Sequence, residues 1–308
     1  MEYIIKNNIL LSICIPTYNR ADKLDKNLNL LINAIGKYEN IEIFISDNCS
    51  SDNTRSIVSH YLSLTNTINY HRNNENIGPD KNFLQCFKLA KGKYIWLLGD
   101  DDYVLEESLP RLIAVLSKGE YGLVHLRKFN NTTGPIIYSD SQLFLVDVDF
   151  MITFMSANII NSKYVNNVIV SENMFSSNLL QVFFYIESAL SGIQNVMFNS
   201  NVFYPQDINN SNGGYNFFKV FIVNYLTVFK YYLNKRQISN DTYKKIKRRI
   251  FKTLILNHIV KILLLNQMPN MQKDGAWGII LKNYWYEPYF YFYSPKVIYY
   301  IYKRLTDK

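Results

Sequence analysis

The stretch KYIWLLGDDDYVLEES, residues 93–108, sets three consecutive carboxylates, Asp100, Asp101 and Asp102, directly after an apolar run. Adjacent anions repel, and in a partly dry cleft that repulsion raises their pKa values. A divalent cation removes the penalty, because Mg²⁺ and Mn²⁺ take carboxylate oxygens and share their shell with substrate phosphates. The competing reading is a solvated acidic turn that caps a helix starting near Glu106. Asp47 closes a second apolar run, IEIFISDN. Its carboxylate either accepts a nucleobase N–H or caps the following helix, a task open equally to Ser50 and Asp52. PTYNR, residues 16–20, is a turn whose backbone and Thr17 can border a nucleotide.

These groups form one site only if the fold gathers them. LLSICIP, residues 10–16, and IEIFISDN, residues 41–48, are short continuous apolar runs that suit buried strands of a parallel sheet. Between them Leu24, Leu28, Leu31, Ile32 and Ile35 recur at helical spacing, with Gly36 near the end. SSDNTRSIVSHYLSL then opens on capping residues and predicts a second helix, and INYHRN a third strand. A Gly-Pro turn leads into a helix carrying Phe83, Cys86, Phe87 and Ala90 on one side, followed by the strand KYIWLL, the helix of VLEESLPRLIAVLSKG and the strand YGLVHLRKF. This rhythm predicts an α/β domain with a mainly parallel, Rossmann-like sheet flanked by helices. Ligands of such sheets bind beyond the carboxyl ends of the strands. Thr17 and Asn19, Asp47, and Asp100 to Asp102 all fall there.

Taken together, LSICIPTYNR, FISDNCSSDNT and NIGPDKNFLQCFKLAKGKYIWLLGDDDY resemble the nucleotide-sugar domain of family 2 glycosyltransferases with the GT-A fold, over about residues 9 to 130. The resemblance implies an enzyme that moves a sugar from a nucleotide diphosphate, with a UDP-sugar as the default donor, to an acceptor hydroxyl with inversion, aided by Mn²⁺ or Mg²⁺. It makes Pro16, Thr17, Asn19 and Arg20 a wall of the donor site and gives Asp47 the base. It sets the family's Asp-x-Asp metal motif on Asp100-Asp101-Asp102, with Asp102 as the first metal ligand and Asp100 or Asp101 at the ribose or the metal's water shell. Asn76, Gly78 and Asn82 match the segment before the third helix, where Lys81 either reaches a phosphate or is an exposed helix lysine. Many members carry an acidic pair at the start of a later helix, the carboxylate that removes the acceptor's proton. Here that place holds SSNLLQ, residues 176–181, without an acid, which leaves Glu172, Glu187 and Asp207 as candidate bases and Glu172 first among them.

Beyond about residue 135 the pattern loosens into two strands, ANIINSKYV and GIQNVMFNSNVFYP, around the helix of SSNLLQVFFYIESALSG. The turn-rich NNSNGG divides a catalytic domain, 1–214, from a mostly helical extension, 215–308. Charge divides similarly: residues 1–229 hold 17 Lys+Arg and 21 Asp+Glu, a balance of −4, whereas residues 230–308 hold 16 and 4, a balance of +12. Lys244, Lys245, Lys247, Arg248, Arg249 and Lys252 precede an apolar stretch, and Trp285, Tyr289, Tyr293 and Tyr299 interleave with Lys296, Lys303 and Arg304. Basic plus aromatic suits an anionic membrane surface, and with it a lipid-linked glycan acceptor. The alternative is a packed helical subdomain kept soluble by its lysines; nucleic acid is not expected as a partner. The three cysteines match no metal spacing and suit a reduced, cytoplasmic setting, including the inner face of the cytoplasmic membrane. The N-terminal segment does not read as a signal peptide, and no apolar stretch reaches membrane-span length. A phosphoryl-transfer hydrolase is disfavoured, because Pro16-Thr17 stands where its nucleophilic Asp belongs. A sugar-nucleotide-binding or scaffold protein on the same fold is the non-enzymatic alternative.

Overall fold

A computed structural model describes residues 9–36, 38–128, 134–205 and 215–306 of the 308-residue chain. Its first unit, residues 1–144, 151–175 and 180–206, alternates strands and helices. In chain order these are β1 (Leu11–Thr17), α1 (Ala21–Ile35), β2 (Ile41–Asp47), α2 (Thr54–Leu64), β3 (Ile68–Arg72), α3 (Pro79–Leu89), β4 (Tyr94–Leu97), α4 (Ser108–Lys118), β5 (Tyr121–Leu126), β6 (Ile136–Tyr138), α5 (Ser141–Val148, whose residues from 145 on belong to the second unit), β7 (Asn158–Asn161), α6 (Glu172–Phe175), α7 (Leu180–Ser191) and β8 (Gln194–Phe198). The strands form one sheet in the order β3-β2-β1-β4-β7-β5-β8-β6.

Every residue of β1, β2 and β4 is buried, as continuous apolar strands covered on both faces should be. Successive side chains point to opposite faces. Leu11, Ile13 and Ile15 therefore enter a core with Leu24, Leu28 and Leu31 of α1, Val58 of α2 and Leu112 and Leu116 of α4. Cys14 points the other way and meets Cys86 of α3, its Sγ 3.8 Å from the Cys86 carbonyl. All three cysteines are free thiols.

The sheet is parallel through β3, β2, β1 and β4, and β5 runs parallel to β8. Two strands run the other way. β7 lies antiparallel between β4 and β5, and β6 is antiparallel to β8. β5 follows β4 in the chain but does not sit beside it. Instead four fully buried residues, Asn158–Asn161, take that position. The order reverses at β1: β2 lies on one side of it and β4 on the other, which opens a crevice at their carboxyl ends.

The second unit comprises residues 145–150, 176–179 and 207–308. The two short segments join it from inside the first unit's stretch of sequence, a division that a single linear boundary at 214 does not describe. NNSNGG itself lies outside the described residues. This unit is helical, with α8 (Tyr225–Asn234), α9 (Asn240–Ile250), α10 (Leu256–His258), α11 (Ala276–Tyr284) and α12 (Pro288–Thr306), and π-helical turns at Lys219–Asn224, Phe251–Ile255 and Ile259–Leu264. Ser239 caps α9 by accepting the Thr242 N–H at 3.0 Å. Part of its basic charge is absorbed internally: buried Lys247 donates to Glu287 at 2.6 Å, and Arg249 to Asp147 at 3.1 Å. Among the described residues no helix is long and apolar enough to cross a membrane.

Candidate active site

The switch-point crevice is an open cleft of about 420 Å³. Its wall includes Pro16 and Thr17 at the end of β1, Arg20 beyond it, Asn48 after β2, Asn76, Pro79 and Asn82 around the start of α3, and Gly99 to Asp102 after β4. Strand ends far apart in sequence thus meet in one place. β1 and β2 end level, with Thr17 paired to Asp47, and Leu98 continues β4 by donating to the Cys14 carbonyl at 2.8 Å.

The aspartate triplet is held by cations and hydroxyls. Asp100 and Asp102 are only 3% and 7% exposed, so the triplet is not a solvated cap; α4 begins six residues after Asp102, at Ser108. Thr17 Oγ1 donates to Asp100 at 2.8 Å, and one guanidinium nitrogen of Arg20 lies 3.0 Å from its other oxygen. The second guanidinium nitrogen pairs with Asp101, which Lys23 also reaches at 3.0 Å. Burial pushes Asp100 up to about 6, with Arg20 and Thr17 opposing and the charge of Asp101 adding to the rise. Burial would raise Asp101 as well, but the Lys23 hydrogen bond and the Arg20 charge hold it below the usual carboxylate range. Mutual repulsion is therefore secondary to burial, and it is answered within the chain by Arg20 and Lys23.

Asp102 is positioned by a residue that carries no sequence signal. Trp96 Nε1 donates to the Ser156 carbonyl at 2.7 Å, the Gly99 N–H to Ser156 Oγ at 2.8 Å, and Ser156 Oγ in turn to Asp102 Oδ2. Gly99 is required by this close approach: a Cβ there would lie 2.5 Å from Asp102 Oδ2. From below, buried Asn27 donates to the Gly99 carbonyl at 2.9 Å.

The remaining expected donor residues divide. Asn76 and Asn82 line the cleft; Asn19, Asp47, Gly78 and Lys81 do not. Asn19, at φ 52°, turns its side chain to the Ser51 N–H at 2.7 Å and ties the β1 and β2 loops together. Asp47 is fully buried, accepting from the Ser50 N–H at 2.8 Å and Tyr70 OH at 2.7 Å, with Arg72 at 3.6 Å. Asp52, not Asp47, serves the helix starts, accepting from Thr54 N at 3.1 Å and Ala21 N at 2.9 Å. Asn82 is held by Ser46 Oγ at 2.7 Å and Asn73 at 3.1 Å, and Asn76 by Asn48 at 2.8 Å. Gly78 sits at φ 83° before Pro79, the first residue of α3. Lys81 is exposed, its ammonium 5.5 Å from the Phe175 ring centroid.

Of the candidate bases, Glu172 is exposed at the first residue of α6, whereas Glu187 is buried inside α7 and accepts from Ser191 at 3.1 Å. Asp207 lies outside the described residues. A carboxylate that the sequence did not single out, Asp80 in the first turn of α3, is buried with Oδ2 unpartnered, and burial pushes it up to about 7. His125 is a packed core histidine, bonded to Asn158 at 2.9 Å and lowered to about 4 by burial.

Comparison with known proteins agrees with the fold. A model of "Glycosyl transferase family 2" matches residues 12–175, more than half of the chain. The abequosyltransferase RfbV of Salmonella typhimurium is 44% identical over 102 residues, 33% of this chain and 31% of that protein. A GalNAc(5)-diNAcBac-PP-undecaprenol beta-1,3-glucosyltransferase of Campylobacter jejuni is 33% identical over 110 residues, 35% of each chain. The chain thus matches about a third of the length of these curated relatives. Among solved structures, S. aureus TarS 1-349 with UDP-GlcNAc aligns at TM-score 0.62 and 19% identity over 85% of this chain and 78% of that one. The mannosyltransferase PcManGT of Pyrobaculum calidifontis with GDP-Man and Mn²⁺ aligns at TM-score 0.55 and 12% identity over 97% and 87%. With its GT-A architecture and this match across its first unit, the chain belongs to family 2 of the glycosyl transferases.

Proposed function

We propose that the protein transfers a glycosyl group, with inversion, from a nucleoside-diphosphate sugar to a hydroxyl of a lipid-linked or surface-polysaccharide glycan, assisted by Mn²⁺ or Mg²⁺. A UDP-sugar is the default donor. The observation that carries this reading is the convergence of Thr17, Arg20, Asp100 and Asp102 on one cleft at the β1/β4 crevice. The names of the relatives support the substrate class: one is an abequosyltransferase, another a PP-undecaprenol-linked glycan glucosyltransferase. The inner face of the cytoplasmic membrane is the corresponding place of action.

The donor set suits a hard divalent ion. It consists of carboxylate oxygens at a cleft wall, and among the described residues no group of three or more acidic, His or Cys side chains converges to enclose a metal. A Mg²⁺-type site of that kind uses one or two carboxylates and leaves the rest of the shell to phosphate oxygens and water. Asp102 and Asp100 would hold the ion, Asp100 giving up its contact with Arg20 at 3.0 Å. Bound there, it would stabilise the negative charge that grows on the departing diphosphate.

The chain's own groups supply the rest. Ser156 holds the Asp102 carboxylate at the cleft wall, where Arg20 stands with its guanidinium paired to Asp100 and Asp101. Reaching a nucleobase N–H would require Asp47, buried and outside the cleft wall, to be uncovered and to give up its contact with Arg72 at 3.6 Å. The amide contacts Asn48–Asn76 and Asn48–Asn73–Asn82 hold the loop that bounds the donor. Of the two described candidates, Glu187 is enclosed in α7 and Glu172 is exposed, although it is not among the residues of the cleft wall, so Glu172 is the one assigned to the acceptor's proton. The absence of an acid from residues 176–181 is the one observation that favours the second reading, a sugar-nucleotide-binding protein without turnover.

Incubation with UDP-, GDP-, CDP- and dTDP-sugars in Mn²⁺, with and without a lipid-linked glycan acceptor, separates the two. The proposal expects release of one nucleoside diphosphate, stimulated by acceptor and abolished by chelator. Binding of a nucleotide sugar without release would select the second reading, and neither binding nor release across the panel would defeat both.

A further inference from the structure

Helix α11 is apolar on two faces, and the packing of its unit uses one of them. Ala276, Ile280 and Tyr284, spaced four apart, are buried. Trp277, Leu281 and Trp285, with the same spacing one residue on, form a second stripe along the helix and are 49%, 47% and 57% exposed. Helix α12 repeats the feature: Tyr291, Tyr299 and Tyr302 are all exposed. Two adjoining segments that leave large aromatic rings in solvent along helix faces mark an interaction surface.

The occupant follows from residue type and charge. Trp and Tyr pair a large apolar ring with a polar N–H or O–H, the combination suited to a boundary that is apolar on one side and wet on the other. Around them, residues 230–308 carry 16 Lys+Arg against 4 Asp+Glu. Two of those acids are already neutralised, Asp241 by Lys245 at 2.7 Å and Glu287 by Lys247 at 2.6 Å. Exposed Lys282 and Lys303 flank the aromatic stripes. A second copy of this chain would bring the same positive charge and be repelled. An anionic lipid headgroup layer is attracted, at about 1 kcal/mol per basic residue near the surface.

We infer that the Trp277–Leu281–Trp285 face of α11, with the exposed tyrosines of α12, docks the protein on an anionic bilayer, its rings at headgroup depth and its lysines on acidic lipids. This extends the proposed function, whose lipid-linked acceptor would lie in the same surface, but its test does not depend on transfer. Of the three tryptophans Trp96 is fully buried, so a change in emission on lipid binding reports Trp277 and Trp285.

The full chain is mixed at low salt with vesicles of phosphatidylcholine alone or phosphatidylcholine plus phosphatidylglycerol. Sedimentation with the mixed vesicles only, with a blue shift of tryptophan emission, is the expected result. The Trp277→Ala/Trp285→Ala variant should lose partition on the order of tenfold. A Tyr299→Ser/Tyr302→Ser variant provides an independent check should the first fold poorly, and circular dichroism verifies both. Failure of the parent protein to bind the mixed vesicles overturns the inference, as does equal partition by both well-folded variants. Self-association of the parent that disappears in the tryptophan variant also overturns it and assigns the face to a second copy. Nucleotide release measured without vesicles keeps any such failure distinct from failure of the transferase reading.

Discussion

Asp80 is the residue whose chemistry is most exposed to a simple test. Its carboxyl is buried on α3 with one oxygen unpartnered, and burial raises it from 3.8 to about 7. Between those values the folded chain holds a proton that the unfolded chain has released. The folded state therefore binds more protons, and stability falls as pH rises through the window. Asp80→Asn removes the cost: thermal unfolding should show a gain on the order of 1–3 kcal/mol near pH 8 and almost none near pH 4. A gain of equal size at both ends would remove burial of the charge as the cause. The sequence made the aspartate triplet legible, because three adjacent acids after an apolar strand need a reason. It also marked Arg20, although as a wall of the donor site and not as the counter-ion of Asp100 and Asp101. Asp80 and Ser156 were not legible. A single acid after Pro79 and a serine between Met155 and Ala157 match no spacing rule, and their roles exist only once α3 and the segment before β7 are placed.

At the scale of elements, the site depends on helix starts that are tied to one another. Asp52 accepts from the N–H of Ala21 at the start of α1 and from Thr54 at the start of α2, and it is lowered from 3.8 because these hydrogen bonds outweigh its desolvation. Asp52→Ala removes both caps, so denaturant unfolding should show a loss of about 1–2 kcal/mol. A loss within error of zero would mean that solvent replaces the caps freely. The strands β1, β2 and β4 and the helices α1 to α4 follow directly from apolar runs and helical spacing. The position of β7 does not. NIIN is short, and nothing local to it says that it enters between β4 and β5 against the direction of both. That choice belongs to the sheet, where the strand fills a position the chain passed over earlier.

For the whole molecule, the contrast between a near-neutral stretch to residue 229 and a basic one after it was legible from charge, and the family from three motifs in order. Two things lay beyond linear reading: the short segments 145–150 and 176–179 that belong with the second unit, and the fate of its charge, since Lys247 and Arg249 are internal ion pairs. The account as a whole rests on Asp100 and Asp102 holding a divalent ion against the donor's diphosphate. The most direct test is calorimetric titration of UDP into the parent protein and into Asp102→Asn, each with Mn²⁺ and with chelator. Mn²⁺ should tighten UDP binding to the parent by at least about tenfold, or roughly 1.4 kcal/mol, and leave the variant near its metal-free affinity. Equal tightening in both proteins, or UDP binding to the parent that ignores Mn²⁺, would contradict it.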